Sequence, residues 1–316
     1  MNTTRLHLTM AATVATIIAV TTFALTGILW YLESLNLTTL IATVAIFNLA
    51  QWLLAPYIVN AMYGVKKADN PQLQSSLETI SKNSGIKAPT LMLSKLTIPN
   101  AFAYGSPLTG NMVAVTEGLI TTLQPDEVEA VIAHEVGHLK HRDTQIMMVA
   151  SLLPSLFYIA ARSLLYSSWF GGKSRKSEGG AALAAVGGIS MLVYFILTLL
   201  NLSLSRQREY YADKHAASVI PDGARKLSEG LAKISTGTWT QQRRGEKIAE
   251  SGFKSLFIAD PDRAGIDVAE IQTARGGEPD QRLVDDILSR RVTGIDSFLE
   301  LFSTHPNIVK RLQALK

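Results

Sequence analysis

Four long apolar runs constrain this 316-residue chain more than any other feature of its sequence. Hydrophobic residues make up 47% of the chain and charged residues 18%, and the apolar residues are gathered in blocks. A helix of about 20 apolar residues is long enough to cross the hydrocarbon core of a bilayer. The sequence therefore predicts four transmembrane helices, within residues 8–32, 38–59, 146–166 and 181–202.

The first two runs predict an N-terminal transmembrane hairpin over residues 1–66. Arg5 precedes the first run, and Lys66 and Lys67 follow the second. Basic residues are enriched on the cytoplasmic side of membrane proteins, so both ends of this hairpin are expected in the cytoplasm. We accordingly expect a multi-pass protein of the cell (plasma) membrane, with the lipid bilayer as one of its partners.

The other two runs predict a second hairpin over residues 146–204. Its basic loop, 173–176, would face away from the cytoplasm, although the basic residues near the inner ends of the runs outnumber it. This pair either crosses the bilayer completely or enters it only in part. Arg162, late in the third run, extends to the far headgroups or lines a polar cavity.

The remaining sequence predicts a soluble domain in two parts, residues 67–145 and 205–316. The first part alternates helical periodicity with short strand patterns, including a strand that ends near Val115. The second part is helical apart from 239–277, whose polar and weakly periodic sequence predicts a long loop. We therefore predict a mainly α fold with a small β-sheet, in addition to the four transmembrane helices.

A His-Glu-x-x-His sequence lies in the helical pattern at the end of the first part. His134 and His138 are four residues apart, which places both imidazoles on one face of a helix, about 6 Å from each other. Glu135 is adjacent and can orient a water molecule bound to the same ion. This spacing is typical of hydrolytic zinc sites. So short a string also occurs by chance, so the prediction depends on finding a third ligand.

Two residues compete for the position of third ligand. His141 follows on the same helix, but a third bond from a continuous helix would be strained, and a helix-end or second-shell histidine is its ordinary interpretation. Glu209 is the better candidate, because Asp213 follows one helical turn later and can orient a ligand histidine. Two crossings separate Glu209 from His138, so the chain returns to the same face of the membrane.

Composition narrows the kinds of site that the chain can form. The sequence has no cysteine, which excludes disulfides, thiol catalysis and thiolate zinc sites, so any zinc is held by histidine and carboxylate. The formal net charge of +4 is modest, and no basic stripe interleaved with aromatic residues is present. Nucleic acid is therefore not an expected partner, and the oligomeric state is left open.

Taken together, these motifs resemble the HtpX-like membrane zinc metallopeptidases, whose clan also contains the CAAX prenyl endopeptidases. The resemblance extends over nearly the whole chain and rests on four separated pieces in the family's order. They are His134-Glu135-x-x-His138, Glu209-x-x-x-Asp213, Asn100-Ala101-Phe102-Ala103 and His305-Pro306.

The resemblance implies an α+β catalytic domain of the zincin type and a role for each matching residue. One Zn²⁺ per chain would be bound by His134, His138 and Glu209, with Glu135 as the general base. Asp213 would support the ligands from the second shell. The edge strand that receives the substrate backbone would contain Asn100, Ala101, Phe102 and Ala103. His305 and Arg311 would stabilise the oxyanion and orient the site, although His305 is ordinarily read as a structural turn residue.

The expected function is zinc-dependent endoproteolysis of misfolded or damaged membrane proteins from the cytoplasmic side. Membrane proteins and peptides are the expected substrates. Two alternatives stay open: a catalytically idle membrane scaffold that keeps zinc for stability, and a CAAX-type prenyl-protein protease. A transporter is disfavoured because the apolar runs contain few charged residues other than Arg162.

Overall fold

A computed structural model describes residues 37–170, 178–243 and 280–316. The first apolar run, the basic loop 173–176 and residues 244–279 lie outside the described residues. The strands are β1 (Lys66–Lys67), β2 (Thr90–Ser94), β3 (Ala101–Ser106) and β4 (Gly110–Thr116). The helices are α1 (Leu37–Met62), α2 (Pro71–Ser84), α3 (Glu117–Thr122), α4 (Pro125–Lys140), α5 (Asp143–Phe170), α6 (Glu178–Val219), α7 (Gly223–Arg243), α8 (Asp280–Leu288), α9 (Gly294–Glu300) and α10 (Ile308–Leu315).

The prediction of a mainly helical chain with a small β-sheet is confirmed. Among the described residues, one compact unit contains Leu53–Thr144 and Ser205–Lys316. A second unit contains residues 37–52 and Gln145–Leu204. Every predicted site residue lies in the first unit.

Two helical segments within the described ranges are long and apolar enough to cross a membrane. They are Ala45–Met62 in α1 and Gly180–Val219 in α6. The third apolar run forms helix α5, which is not one of these two segments, and the first run lies outside the described residues. The structure thus provides two candidate spans, and the number four stays a prediction.

The sheet has the strand order β1-β2-β4-β3. Strands β2 and β4 are parallel, whereas β1 pairs antiparallel with β2 and β3 pairs antiparallel with β4. Strand β3 therefore forms one edge of the sheet, with Ala103 opposite Val113. A parallel pair needs a crossover between its strands, and here the chain that connects β2 to β4 contains β3.

The two faces of the sheet pack against different parts of the first unit. On one face, residues such as Val113 and Val115 join a core formed with α2, α4, α7, α8 and α10. On the other face, Phe102 and Tyr104 pack with Val59 near the end of α1. The Tyr104 hydroxyl donates to Asn60 Oδ1 at 2.6 Å, so the edge strand is also joined to α1 by a hydrogen bond.

Helix α4, which contains the His-Glu-x-x-His sequence, begins as its sequence predicts. Pro125 occupies the first turn, where a missing N–H costs no intrahelical hydrogen bond. Glu127 accepts the backbone N–H of Gln124 at 2.7 Å and is itself bound by Lys233 Nζ at 2.9 Å. Glu127 is almost completely buried, so this contact with α7 anchors the start of the motif helix in the core.

Three local features differ from the sequence-based prediction. Lys66 and Lys67 form strand β1, which two charged residues following an apolar run do not suggest. Asn100 is buried but precedes strand β3, which begins at Ala101. Helix α7 continues to Arg243, so the first residues of the predicted 239–277 loop are helical.

Candidate metal centre

Helix α4 places the histidine pair and Glu135 in the interior of the first unit. His134 and Glu135 are buried, and His138 is partly buried. Helix α6 runs beside α4 and contributes Glu209 and Asp213, both buried as well. Charged groups occur at such depth when they are paired with one another or bind an ion.

Gly137, inside the motif, permits α4 and α6 to approach closely. A Cβ atom at this position would lie 3.1 Å from Ala212 Cα and 3.2 Å from His215 Cβ. These distances are tighter than ordinary contacts of a methyl group. The glycine therefore lets the helix that contains Glu209 lie directly against the histidine pair.

The three predicted metal ligands converge in the structure. Ligand atoms of His134, His138 and Glu209 all lie within 4.8 Å of one another. The two Nε2 atoms are 3.1 Å apart, and they lie 3.6 and 3.5 Å from the Glu209 carboxylate oxygens. Sequence reasoning joined the histidine pair to Glu209, which follows His138 by 71 residues.

Each ligand histidine has a carboxylate behind its other ring nitrogen. His134 Nδ1 lies 2.9 Å from Asp213 Oδ1, and Asp213 is bound by two nitrogens of Arg311, at 2.9 and 2.6 Å. His138 Nδ1 lies 2.6 Å from Asp143 Oδ2. A carboxylate in this position selects the ring tautomer that leaves Nε2 available to a metal.

These residues fit a zinc ion. With a proton on each Nδ1, both Nε2 atoms are acceptors, and two acceptors 3.1 Å apart are stabilised by a cation between them. Glu209 Oε2 is buried and forms no hydrogen bond with the described residues, although Arg311 Nη1 lies 3.3 Å away. Two imidazoles and one carboxylate are the ligand set of many catalytic zinc sites, which keep a fourth position for water.

The charges around His134 change its affinity for protons. Burial lowers the pKa of His134, but hydrogen bonding and charge from Asp213 and Glu209 outweigh burial and raise the pKa to about 9. The pKa of Glu135 is also raised, in this case by burial, and the charges of His134 and His138 oppose the rise. The metal-free site therefore holds protons that a cation would displace.

Glu135 contacts the edge strand of the sheet. Its Oε2 accepts the backbone N–H of Ala103 at 2.7 Å. The predicted general base and the predicted substrate-binding strand are therefore adjacent. Of that segment, Ala101, Phe102 and Ala103 lie in β3, while Asn100 precedes it and donates its backbone N–H to Thr116 Oγ1 at 3.0 Å.

His305 lies beside Glu209, in the loop between α9 and α10. Its Nε2 is 3.9 Å from Glu209 Oε1, and its Nδ1 is 3.0 Å from Thr304 Oγ1. Arg206, one turn before Glu209, holds this loop through its Nη1, which donates to the carbonyls of Glu300, Leu301 and Ser303 at 2.8, 3.2 and 2.8 Å.

Arg311 is almost completely buried and contacts two acidic residues of α6, Asp213 and Glu209. Besides its two bonds to Asp213, it reaches Glu209 through Nη1. Burial lowers the pKa of this guanidinium, but the charge of Asp213 outweighs burial and holds the pKa above its ordinary value. Arg311 is thus a permanent cation between two carboxylates, in a position to orient them.

His141 occupies a different place from the ligands. It is the C-terminal cap of α4 and is exposed. Its ring centroid is 6.0 Å from that of Tyr211 and 6.2 Å from that of His215. The described residues form one cluster able to hold a metal, and His141 is not part of it.

Sequence reasoning missed three residues of the site: Asp143, Arg206 and Arg208. Arg208 Nε lies 3.1 Å from Asp143 Oδ2, on the same oxygen that His138 approaches. Their positions in the sequence could have indicated them. Asp143 lies five residues after His138, and both arginines lie just before Glu209 on the same helix. Charges so close to a ligand are candidates for its support.

The geometry of this site agrees with comparisons to known proteins. Residues 67–316 match peptidase family M48. The chain belongs to this family. It is therefore a protease, and the cluster of His134, His138 and Glu209 is the part of an M48 metalloprotease that could hold its ion.

Curated relatives in the family cover most of the chain. A protein described as "Protease HtpX homolog" from Thermoplasma volcanium is 38% identical over 86% of this chain and 80% of its own length. The corresponding protein of Thermoplasma acidophilum is 34% identical over 89% and 85%. "Protease HtpX homolog 2" of Sulfurisphaera tokodaii is 30% identical over 99% and 97%.

A solved structure shares the fold. The crystal structure of S. mikatae Ste24p matches with a TM-score of 0.58 and 17% sequence identity. The match covers 97% of this chain but 65% of the Ste24p chain, so this chain spans just under two thirds of that protein's length. At this level of identity the likeness concerns the fold alone.

Proposed function

We propose that this M48 protease is a zinc-dependent endopeptidase of the cell membrane that cleaves membrane proteins from the cytoplasmic side. The observation that carries the proposal is the convergence of His134, His138 and Glu209 beside Glu135, with the edge strand in contact with Glu135. This arrangement brings the candidate metal ligands, the proposed base and the proposed substrate-binding strand together within one unit of the chain.

The residues of the site divide the work of peptide hydrolysis among them. His134, His138 and Glu209 would hold zinc, which would lower the pKa of a bound water to about 7 and act as a Lewis acid. Glu135 accepts a proton from the attacking water and delivers it to the leaving amine. The N–H of Ala103 keeps the carboxylate of Glu135 directed into the site.

His305 and Arg311 have different parts in this proposal. His305 Nε2 faces Glu209 at 3.9 Å and can donate to the oxyanion from beside the ligand set. One such donor is worth roughly 2.7–4 kcal/mol of transition-state stabilisation. The nitrogens of Arg311 that contact Asp213 and Glu209 are already engaged, so we assign Arg311 to orienting these carboxylates.

The substrate is proposed to bind as an extended polypeptide along β3. This strand is at the end of the strand order, so its outer edge can accept another strand through backbone hydrogen bonds. Such hydrogen bonds do not depend on the side chains of the substrate, as is required of a protease that acts on many damaged proteins. The half-buried Ala103 places the bound backbone next to Glu135.

The proposed topology follows from the apolar segments and their charges. Segments Ala45–Met62 and Gly180–Val219 support membrane insertion. Arg5, Lys66 and Lys67 favour a cytoplasmic location for the ends of the first hairpin. A protease attached to the bilayer in this way reaches the cytoplasmic loops of neighbouring membrane proteins, which is the reason to propose them as substrates.

A reconstitution experiment tests the proposal. The purified full chain is placed in liposomes with an unfolded membrane protein, and cleavage is followed with zinc, with a chelator, and after zinc is restored. We expect cleavage that stops with the chelator and returns with zinc. Zinc binding without cleavage would instead indicate the idle scaffold, and cleavage restricted to a prenylated peptide would indicate a CAAX-type protease.

A further inference from the structure

Both ligand histidines are backed by a carboxylate that is itself paired with an arginine. His134 contacts Asp213, which Arg311 binds. His138 contacts Asp143, which lies 3.1 Å from Arg208 Nε. The proposed mechanism uses the first of these arrangements, but it gives no part to Asp143 or Arg208.

We infer that Asp143, held in place by Arg208, is the positioning residue of His138. The inference rests on the proposed zinc site, because the part of Asp143 is to present His138 Nε2 to that ion. Its carboxylate oxygen Oδ2 accepts a hydrogen bond from His138 Nδ1 at 2.6 Å. This hydrogen bond fixes both the tautomer and the rotation of the ring. Asp143 touches neither substrate nor ion and acts through His138.

The backbone between α4 and α5 is shaped to make this contact. Helix α4 ends at Lys140 and α5 begins at Asp143, so two residues connect them. Arg142 has φ +55°, a left-handed conformation that costs energy for a residue with a side chain. Its N–H bonds to the carbonyl of Leu139 at 3.2 Å, which closes the turn. The unfavourable conformation brings the carboxylate of Asp143 back to His138.

The burial of Asp143 makes its partners necessary. Its side chain is 4% exposed, and a carboxylate at that depth is unfavourable unless it is paired or hydrogen-bonded. His138 forms a hydrogen bond with Oδ2, and the guanidinium of Arg208 is ion-paired with the same oxygen. Arg208 precedes Glu209 on α6, so this group joins the start of α5 to the two helices that supply the metal ligands.

A simpler role for Asp143 is to stabilise the start of α5. An acidic residue in the first turn of a helix interacts favourably with the positive end of the helix dipole. That role requires no contact with His138 and predicts no change in metal binding. The two roles are therefore separated by measuring zinc affinity and helix stability on the same variants.

The first experiment compares zinc affinity in the full chain, purified in detergent, by competition with a chromogenic chelator. Removing a residue that supports a metal ligand weakens metal binding about 10–100-fold, and we expect this loss for Asp143→Ala. Asp143→Asn keeps the shape and is expected to lose less. Asp126→Asn is the matched control, since Asp126 is half-exposed and lies 4.0 Å from Arg225. Unchanged affinity in Asp143→Ala would overturn the inference.

A cobalt-substituted sample gives a readout of ligand geometry. Co²⁺ replaces zinc in such sites, and its visible absorption bands depend on how the ligands are arranged. We expect Asp143→Ala to shift these bands relative to the wild-type protein and the Asp126→Asn control, whether or not the metal-free variant unfolds at a lower temperature. A lowered unfolding temperature with unchanged bands and affinity would assign Asp143 to helix stability and reject the positioning role.

A double-mutant cycle tests whether Arg208 acts through Asp143. Arg208→Gln alone is expected to weaken zinc binding, and to add little in the Asp143→Asn background. Full additivity would contradict the coupling. If Asp143→Ala does not fold, Arg208→Gln and Asp143→Asn still complete the cycle. Failure of wild-type protein to bind zinc would reject the proposed function itself, which is a different outcome from unchanged affinity in the variants.

Discussion

The backbone N–H of Ala103 donates to Oε2 of Glu135 at 2.7 Å, which joins the edge strand of the sheet to the motif helix. The two residues come from elements with different roles in the proposed reaction. Strand β3 binds the substrate, and Glu135 on α4 transfers the proton. Because this hydrogen bond joins them, a peptide paired with β3 in the proposed reaction would lie next to Glu135.

The first prediction concerns Glu135→Gln. The amide keeps an oxygen for the N–H of Ala103, and Glu135 is not in the ligand cluster, so zinc content should be unchanged. Loss of the base should lower the rate of peptide cleavage by about 100- to 10,000-fold. Metal analysis and a cleavage assay on the same preparation check both parts.

Glu129→Gln is the control for this change, because Glu129 lies on the same helix and is only half-buried. It should cleave at the wild-type rate. Wild-type activity in Glu135→Gln would mean that another group removes the proton from water.

The second prediction distinguishes the two candidates for the third ligand. Glu209→Ala removes a carboxylate from the cluster and should abolish stoichiometric zinc binding in the purified protein. His141→Ala should retain one zinc per chain, because His141 is the exposed cap of α4. Elemental analysis after dialysis measures both variants, and the reverse pattern would require a different ligand set.

The third prediction is that Arg311→Met destabilises the metal-free protein. Its removal leaves Asp213 and Glu209 buried without their cation, and breaking a buried pair in this way costs about 3–5 kcal/mol. Denaturant titration in detergent should show a lower free energy of unfolding. Arg225→Met is the comparison, since the guanidinium of Arg225 is half-exposed although its partner Glu229 is buried, and its loss should cost less than that of Arg311.

The fourth prediction is a pH dependence of zinc affinity. His134 must be neutral to bind metal, and in the metal-free protein its pKa is raised to about 9. Below that pH a proton must leave before zinc binds, so apparent affinity should increase about tenfold per pH unit between pH 7 and 8.5 and level off above 9. Chelator competition at several pH values measures the slope. A flat profile across this range would show that His134 is already neutral.

Local patterns were sufficient to predict the centre of the site. The four-residue spacing of His134 and His138 survives folding because a helix fixes it, and Glu209 with Asp213 follows the same rule on α6. The start of α4 at Pro125 and the end of α2 before Gly85 were equally readable, because capping chemistry is local.

The parts that escaped prediction depend on tertiary contacts. Asp143 reaches His138 because Arg142 adopts a positive φ, which the residue type disfavours and the sequence therefore does not signal. Strand β1 exists because Lys66 and Lys67 pair with β2, although neither residue favours a strand by itself. Asn100 precedes β3 because its backbone N–H bonds to Thr116 Oγ1.

A short stretch of α6, residues 206–213, contacts several separate parts of the site. Arg206 holds the loop that leads to His305, and Arg208 faces the carboxylate behind His138. Glu209 completes the ligand set, and Asp213 orients His134.

Because one helix makes all of these contacts, the position of α6 determines how these groups are arranged relative to one another. A rotation or sliding of α6 would separate the oxyanion donor, both histidine supports and the third ligand in the same movement. Partial disassembly, with zinc retained but the histidines misaligned, is therefore disfavoured. In the proposed reaction, a displaced α6 would leave the protease without its assembled metal site and therefore without activity.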